Sequence, residues 1–324
     1  MKNFEYIPAS DLAAAIALLS EPQTEALAGG TDLLGQLKNR IKTPKRLVNL
    51  KTLRELCQIR YGGELRMGAL VNLAEVEHHP IVLEKFPILA QAASLAATPQ
   101  LRNMGTVGGN LCQHPRCWYY RGPLFPCWLK GGEKCFAVQG ENKYHAILGR
   151  GMCQAVHPSD LAPPLISLEA QVKTAGPKEE RVIPLEELYR KPVSNHRQMT
   201  ILEPGELLTE IWIPAQTDGS SGVYLKAMDR KAWSFALVSL AAQVRMDGQY
   251  VAACRFVLGG VAPIPWRAKE AEEVLKGQKI SQELIRRAGE AAVSSARPLR
   301  DNEYKVQMVK GVFRKASASL FHLK

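Results

Sequence analysis

FALVSLAAQVRMDGQYVAACRFVLGGV, residues 235–261, reads as two long strands folded back on one another. Asp247-Gly248 sits between the two apolar runs, and both positions of so tight a turn need positive φ, which Gly and Asp tolerate. GVYLKAM (222–228) supplies a third strand just upstream. Two helical patterns follow, SQELIRRAGEAAVSSA (281–296) and NEYKVQMVKGVFRKASASLF (302–321). A three-stranded antiparallel sheet backed by helices places residues 217–324 in an α+β domain.

Upstream, helical and strand-like segments alternate. SDLAAAIALLS (10–20) puts Leu12, Ile16 and Leu19 on one face, with Ser10 available as a cap. EALAGG (25–30) is a short apolar stretch stopped by two glycines, and TDLLGQLKNR (31–40) continues as a helix. KRLVNL (45–50) and ELRMGAL (64–70) read as strands, NLAEVEHH (72–79) and FPILAQAASLAA (86–97) as helices. The predicted division is residues 1–216, in two α+β subdomains of about 1–55 and 56–216, followed by 217–324.

Composition narrows the classes. The chain has 324 residues, 46% hydrophobic and 23% charged, which excludes a disordered polymer and leaves room for about two domains. No apolar run approaches the roughly 20 residues of a membrane span. The N-terminus, MKNFEYIPASDL, lacks the apolar stretch of an export signal, so the chain by itself points to the cytoplasm; a partner bearing a twin-arginine signal would carry it to the periplasm. The net charge of +11 is densest at Lys38, Arg40, Lys42, Lys45 and Arg46, where no nucleic-acid-binding motif accompanies it. A solvated face, or one meeting a phosphate or an acidic partner, accounts for it without nucleic acid.

Two glycine pairs carry the first functional signal: Ala28-Gly29-Gly30-Thr31-Asp32 and Thr106-Val107-Gly108-Gly109-Asn110, each read as a turn at a strand end. Paired glycines let successive N–H groups converge on one anion and let a ligand approach closely. A helix beginning near Thr31 adds its dipole and a hydroxyl. Two such turns suit the two phosphates of a dinucleotide, although each alone also reads as an ordinary tight turn. Gly149-Arg150-Gly151 is no Rossmann fingerprint, because Gln154 stands where the third glycine belongs. His157-Pro158-Ser159-Asp160 is either a plain turn or a pair of hydroxyl-binding groups.

AGGTDLL (28–34), LRNMGTVGGNL (101–111) and HPSD (157–160) together resemble the FAD-binding medium subunit of the molybdenum hydroxylases, the xanthine dehydrogenase and aldehyde oxidoreductase group. YLKAMDRKAWSFALVS (224–239) and LGGVAPIPWRA (258–268) extend the resemblance over the second domain. It implies FAD held between two α+β subdomains. Ala28, Gly29, Gly30, Thr31, Asp32, Leu33 and Leu34, with Thr106, Gly108, Gly109 and Asn110, would enclose the pyrophosphate. Ser159 and Asp160 would take the sugar or ribityl portion, and Lys226 would lie near the isoalloxazine. Many members carry Asp where this chain has Ser234, so that position receives no role.

Five of the seven cysteines fall within residues 112–155, an irregular stretch with Trp118, Tyr119 and Tyr120 in its midst. An odd total without an export signal argues against a disulfide framework. RCWYY (116–120), PCW (126–128), KCF (134–136) and MCQ (152–154) resemble the insertion of the family's 4-hydroxybenzoyl-coenzyme A reductase and periplasmic aldehyde oxidoreductase subset. That resemblance implies a [4Fe-4S] cluster on Cys117, Cys127, Cys135 and Cys153. Four thiolates from one loop suit such a cluster, and the intervals are too wide for a zinc knuckle. In the alternative ligand set Cys112 replaces Cys117. Cys57 and Cys254 read as buried small residues.

The resemblance further implies an electron-transfer role: a large molybdenum-cofactor subunit handles the organic substrate, a small subunit with two [2Fe-2S] clusters relays electrons, and FAD meets an external acceptor or donor. No catalytic side-chain constellation stands out in this chain, and the role requires none. The alternative is a stand-alone FAD-dependent oxidoreductase of the same fold.

Overall fold

In the computed structural model, which describes residues 1–321, the first fifty residues build a small parallel sheet. Strands β1 (Glu5–Pro8), β2 (Thr24–Leu27) and β3 (Arg46–Asn49) pair in the order β1-β3-β2. Parallel neighbours need crossovers. The helices Leu12–Leu19 and Leu33–Lys38 provide them. Ala15, Val48, Leu50 and Leu53 close the core between sheet and helix. The first helix is capped by Asp11, whose carboxylate accepts from Ala14 N at 2.8 Å, and not by Ser10 as the sequence reading had it. Ser10 instead donates to Asp11.

A second sheet is antiparallel throughout, in the order β4-β5-β8-β6-β7: β4 (Ile59–Tyr61), β5 (Leu65–Gly68), β6 (Gln171–Ala175), β7 (Glu180–Pro184) and β8 (Leu207–Ile213). Leu65, Met67, Val172, Ile211 and Ile213 are fully buried in its core. Burying each such side chain contributes about 1.5–3 kcal/mol. Residues 69–170 leave the sheet between β5 and β6 and carry every motif of the site save those at 28–34 and 226. The alanine-rich helix Pro87–Leu95 buries Ala90, Ala92 and Ala93, which lets a neighbouring strand approach closely.

That neighbour belongs to the third sheet, β9 (Ser220–Ala227), β10 (Val238–Asp247), β11 (Tyr250–Gly259) and β12 (Trp266–Arg267), ordered β12-β11-β10-β9. The expected hairpin is present, but its two turn positions are Gly248 and Gln249: Asp247 stands in the ladder opposite Tyr250, and of the three only Gly248, at φ +57°, has a positive φ. The sheet has four strands where three were expected. The fourth is two residues long, pairing Trp266 with Leu258 and Arg267 with Val257, too short to show any alternation. Helices Lys269–Leu275, Gln282–Ala291 and Tyr304–Phe321 cover the sheet through Ala271, Leu275, Ile285, Val309 and Phe313.

The cysteine-bearing stretch is built differently. It contains one turn of α-helix at Trp118–Arg121 and single 3-10 turns at Trp128–Lys130 and Phe136–Val138. Its far end is tied to the third sheet, where Ile147 N and Leu148 N both donate to Val261 O. Lys305 Nζ, fully buried, donates to Tyr144 O at 3.1 Å and Gly260 O at 2.8 Å. Burial there lowers the Lys305 pKa to about 7. Among the described residues no helix is long and apolar enough to cross a membrane.

Candidate functional site

The two glycine motifs meet. A Cβ on Gly29 would lie 1.9 Å from Met104 O, and one on Gly105 would lie 3.5 Å from Thr31 Oγ1, so each segment is seated directly on the other. Gly30 has φ +73°, a conformation side chains oppose, and it turns the chain out of β2. Thr31 and Leu34 are exposed, while Asp32 and Leu33 are half-buried. The helix starts at Leu33, not Thr31, and runs only six residues.

The second pair departs from its reading as a strand-end turn. Thr106 caps a short helix, Val107–Leu111, its hydroxyl accepting from Gly109 N at 3.1 Å, so both glycines lie inside the first turn. Gly108 is buried against Ala69, whose Cβ would stand 2.9 Å from an added methyl, and its N–H is bonded to Ala69 O. Gly109 is exposed, with only Thr106 Oγ1 near the place of a Cβ. Gly108 therefore serves packing, and Gly109 presents open backbone. Lys51, unremarked in the sequence, donates to Ala28 O at 3.1 Å and sets a cation beside the first turn. The parallel β2–β3 register brings it there, and no local motif announces it.

Ser159 links these turns to the rest of the site. Its hydroxyl donates to Asn110 Oδ1 at 2.6 Å and accepts from Ala162 N at 3.0 Å. Asp160 is buried and accepts from Tyr224 OH and from Lys226 Nζ, both at 2.8 Å. Lys226, with a side chain 0% exposed, also donates to Leu95 O at 2.8 Å. Burial pushes the Asp160 carboxyl up, while Lys226 and Tyr224 work against that shift. Asp160 and Lys226 thus bind each other, across the junction of the second and third sheets.

Beyond Ser159 opens a cavity of about 650 Å³, within the usual range of small-molecule sites. Its walls come from three directions: Arg116 and Trp118 from the cysteine-bearing stretch, His157 and Ser159 from the tetrapeptide, Trp233 and Phe235 from the loop between β9 and β10. Arg116 lies 4.9 Å from the centroid of the Phe235 ring. Trp233 is 63% exposed, with φ +53°. Burial pushes His157 down to about 3, so its imidazole is neutral. The glycine turns themselves do not line this cavity, and the Asn110–Ser159 bond is the step from one to the other.

Four cysteines gather behind it. Cys117, Cys127, Cys135 and Cys153 line one small apolar cavity together with Tyr119, Trp128 and Phe136. Burial raises the Cys117 thiol to about 11 and also raises Cys127 and Cys153, with the neighbouring sulfurs adding to each shift. His145 Nε2 stands 3.2 Å from Cys117 Sγ. Cys112 is outside this group, at the C-cap of Val107–Leu111 against the second sheet's core, where burial raises its thiol to about 12. Among the described residues no three or more His, Cys, Asp or Glu side chains are drawn together as around a single metal ion. Cys117 and Ala155 belong to the walls of both cavities.

Asp32 completes the picture. Its carboxylate accepts from Arg116, from Arg121 at 2.6 Å, from His114 N at 3.0 Å and from Gln36 Nε2 at 3.1 Å. Burial opposes its ionisation, but His114 and the two guanidiniums outweigh burial and hold it well below the usual carboxylate range.

Comparison with known proteins shows which family the chain resembles over nearly its whole length. The family described as FAD binding domain in molybdopterin dehydrogenase matches residues 2–216, and the CO dehydrogenase flavoprotein C-terminal domain matches residues 223–320. The aldehyde oxidoreductase FAD-binding subunit PaoB of Escherichia coli (strain K12) is 35% identical, with 96% of each chain covered. The carbon monoxide dehydrogenase medium chain of Hydrogenophaga pseudoflava is 28% identical over 97% of this chain and 96% of that one. A solved structure of carbon monoxide dehydrogenase from Hydrogenophaga pseudoflava superposes with a TM-score of 0.80 at 27% identity, covering 99% of this chain and 98% of its own.

Proposed function

The chain belongs to the FAD-binding molybdopterin dehydrogenase family, and from that premise we propose that it is the FAD- and [4Fe-4S]-carrying electron-transfer subunit of a multi-subunit molybdenum hydroxylase. Its partners in this reading are a large molybdenum-cofactor subunit, a small subunit with two [2Fe-2S] clusters, and an external acceptor or donor. The names of its relatives, a subunit of an aldehyde oxidoreductase and a medium chain of a carbon monoxide dehydrogenase, support an assembly of that kind.

The observation that carries the flavin assignment is the Ser159–Asn110 bond, which ties the second glycine segment to the wall of the 650 Å³ cavity. In this reading the pyrophosphate would lie against the Ala28–Leu34 segment and Thr106–Asn110, where Gly109 leaves the backbone exposed and Lys51 offers countercharge. Ser159 faces the sugar portion. Asp160 and Lys226 fix the wall on which Ser159 stands. Trp118, Trp233 and Phe235 provide apolar surface for a planar ring. FAD, when bound, supplies one- and two-electron redox chemistry.

The four cysteines of the second cavity are the proposed cluster ligands. Four cysteines around one cavity are the ligand set that a [4Fe-4S] cluster takes. In this reading the cluster would lie beside the flavin, since Cys117 and Ala155 belong to the walls of both cavities.

Purified full-length protein is expected to carry FAD and iron with acid-labile sulfide. Gly30→Val removes the flavin, because a branched side chain cannot adopt φ +73° at that turn. Cys117→Ser lowers iron content strongly and Cys57→Ser does not. A protein that takes up no FAD sinks the flavin assignment. An anaerobic preparation free of iron sinks the cluster and leaves the flavin standing.

A further inference from the structure

Asp32 lies in the same motif as the first glycine turn, yet every hydrogen bond its carboxylate makes to a residue outside its own helix goes to the cysteine-bearing stretch. One oxygen receives both guanidiniums, Arg116 and Arg121; the other receives His114 N and Gln36 Nε2. These partners lie 82 to 89 residues farther along the chain, apart from Gln36. Gln36, one helical turn on, accepts from Tyr120 OH at 3.0 Å. The two side chains therefore form a bracket, and residues 114–121 are pinned in it.

The bracket is well braced. Arg116 also reaches Gln113 Oε1 at 2.9 Å and His114 O at 2.8 Å, while Arg121 holds Pro115 O at 2.8 Å and His114 O at 3.0 Å. Asp32 is only 16% exposed, and Arg121 17%. A carboxylate bound by two guanidiniums and a backbone N–H, largely out of water, is far stronger than a surface ion pair. Cys117 lies between the two arginines in sequence, and its carbonyl accepts from Arg121 N at 2.9 Å.

We propose that Asp32 is the positioning residue for Cys117, and that through it the glycine turn and the cysteine-bearing stretch order one another. What fixes residues 28–32 also fixes residues 113–121, so a ligand on the turn and a cluster on the cysteines stabilise each other. By linkage the effect is reciprocal: each raises the affinity for the other by the same factor. The iron-related part rests on the cluster assignment above; the bracket itself does not.

Asp32→Asn in the full-length protein is the test. The amide keeps the shape but loses the charge, and its NH₂ faces donors where an acceptor is needed. Hydrogen exchange at amides 113–121 should accelerate about tenfold, the equivalent of losing about 1.4 kcal/mol, with β2 and β6 to β8 unchanged. FAD added to wild-type apoprotein should slow exchange at 113–121, and this response should vanish in the variant. The iron-to-FAD ratio should fall, and the residual reduced cluster should show altered EPR g-values. Glu206→Gln, which breaks the Arg181 bridge on the second sheet, should leave that ratio and spectrum alone. Unchanged exchange at 113–121, or acceleration spread evenly over the chain, overturns the bracket. Indifference of 113–121 to FAD overturns the coupling. A wild-type protein with no iron but with the exchange effects intact refutes the cluster and leaves Asp32 in its role.

Discussion

Strands β5 and β8 are held by Leu65, Met67, Ile211 and Ile213 packed out of water, whereas residues 112–155 are held largely by what their polar groups reach. In the sheets, backbone pairs with backbone and side chains need only be apolar and fitting. In the cysteine-bearing stretch, carbonyls are satisfied by side chains: from within it by Arg121 on Pro115 and Lys130 on Gly122, and from outside it by Arg197 on Trp128 and Gly132 and Lys305 on Tyr144. Rings fill the gaps, with Tyr119 edge-on to Phe125 and stacked 6.1 Å from Phe136. A segment built this way has little cooperative core of its own. It should respond locally to the loss of one polar partner, while the sheets should respond as a whole.

The largest effect is expected where the body itself depends on a buried charge pair. Lys226→Met leaves the Asp160 carboxylate buried with only Tyr224 as partner, a cost of about 3–5 kcal/mol. The loss should appear as a cooperative shift of the whole denaturation curve. Lys226→Met combined with Asp160→Leu should recover part of it, since no lone charge then remains. A local change without a global shift would place the pair outside the cooperative unit.

These two residues also show what the sequence allowed to be read. The α+β class, the Asp247-Gly248 hairpin and the two closing helices were legible, because periodicity and turn chemistry are local signals. The motif order, too, was legible as a family pattern. The partners of Asp32 and Asp160 were not: both acids look like ligand-binding groups in their motifs, and only the fold shows Arg116, Arg121, Tyr224 and Lys226 converging on them. Thr106 is an intermediate case. A Thr two residues ahead of a glycine pair is an admissible N-cap, but Gly-Gly argued for a turn more loudly than for a helix. Lys51 left no trace at all, since strand register alone carries it to Ala28.

A middle-sized effect follows from His157, which stands in the cavity wall on the body side. Its folded pKa is near 3 and its unfolded value about 6.5, so between those values the unfolded chain holds a proton that the folded chain lacks. Stability contributed by the neutral ring is therefore complete above about pH 6.5 and is lost as pH falls toward 3. At pH 5 the loss amounts to about 2 kcal/mol. His157→Gln should flatten this part of the acid slope in chemical denaturation of the apoprotein. An unchanged slope would mean that the ring charges inside the folded protein.

The smallest expected effect belongs to the cysteine-bearing stretch and tests the other half of the contrast. Arg197 lies outside that stretch, beyond β7, and its Nη1 donates to Trp128 O at 2.6 Å and Gly132 O at 2.9 Å. Its guanidinium sits 4.8 Å from the centroid of the Trp128 indole. Arg197→Met keeps apolar contact with the ring and removes both bonds, so two carbonyls just C-terminal to Cys127 lose their partner. Each such carbonyl costs about 1 kcal/mol if water replaces the bond poorly. Because residues 127–134 belong to neither large core, that cost should be met by local opening: faster exchange at residues 127–134, with the global denaturation midpoint nearly unmoved. A cooperative loss of the same size across β5 and β8 would instead show that the stretch and the sheets unfold as one, and that polar bonds to carbonyls couple it to the body as tightly as apolar packing holds the strands.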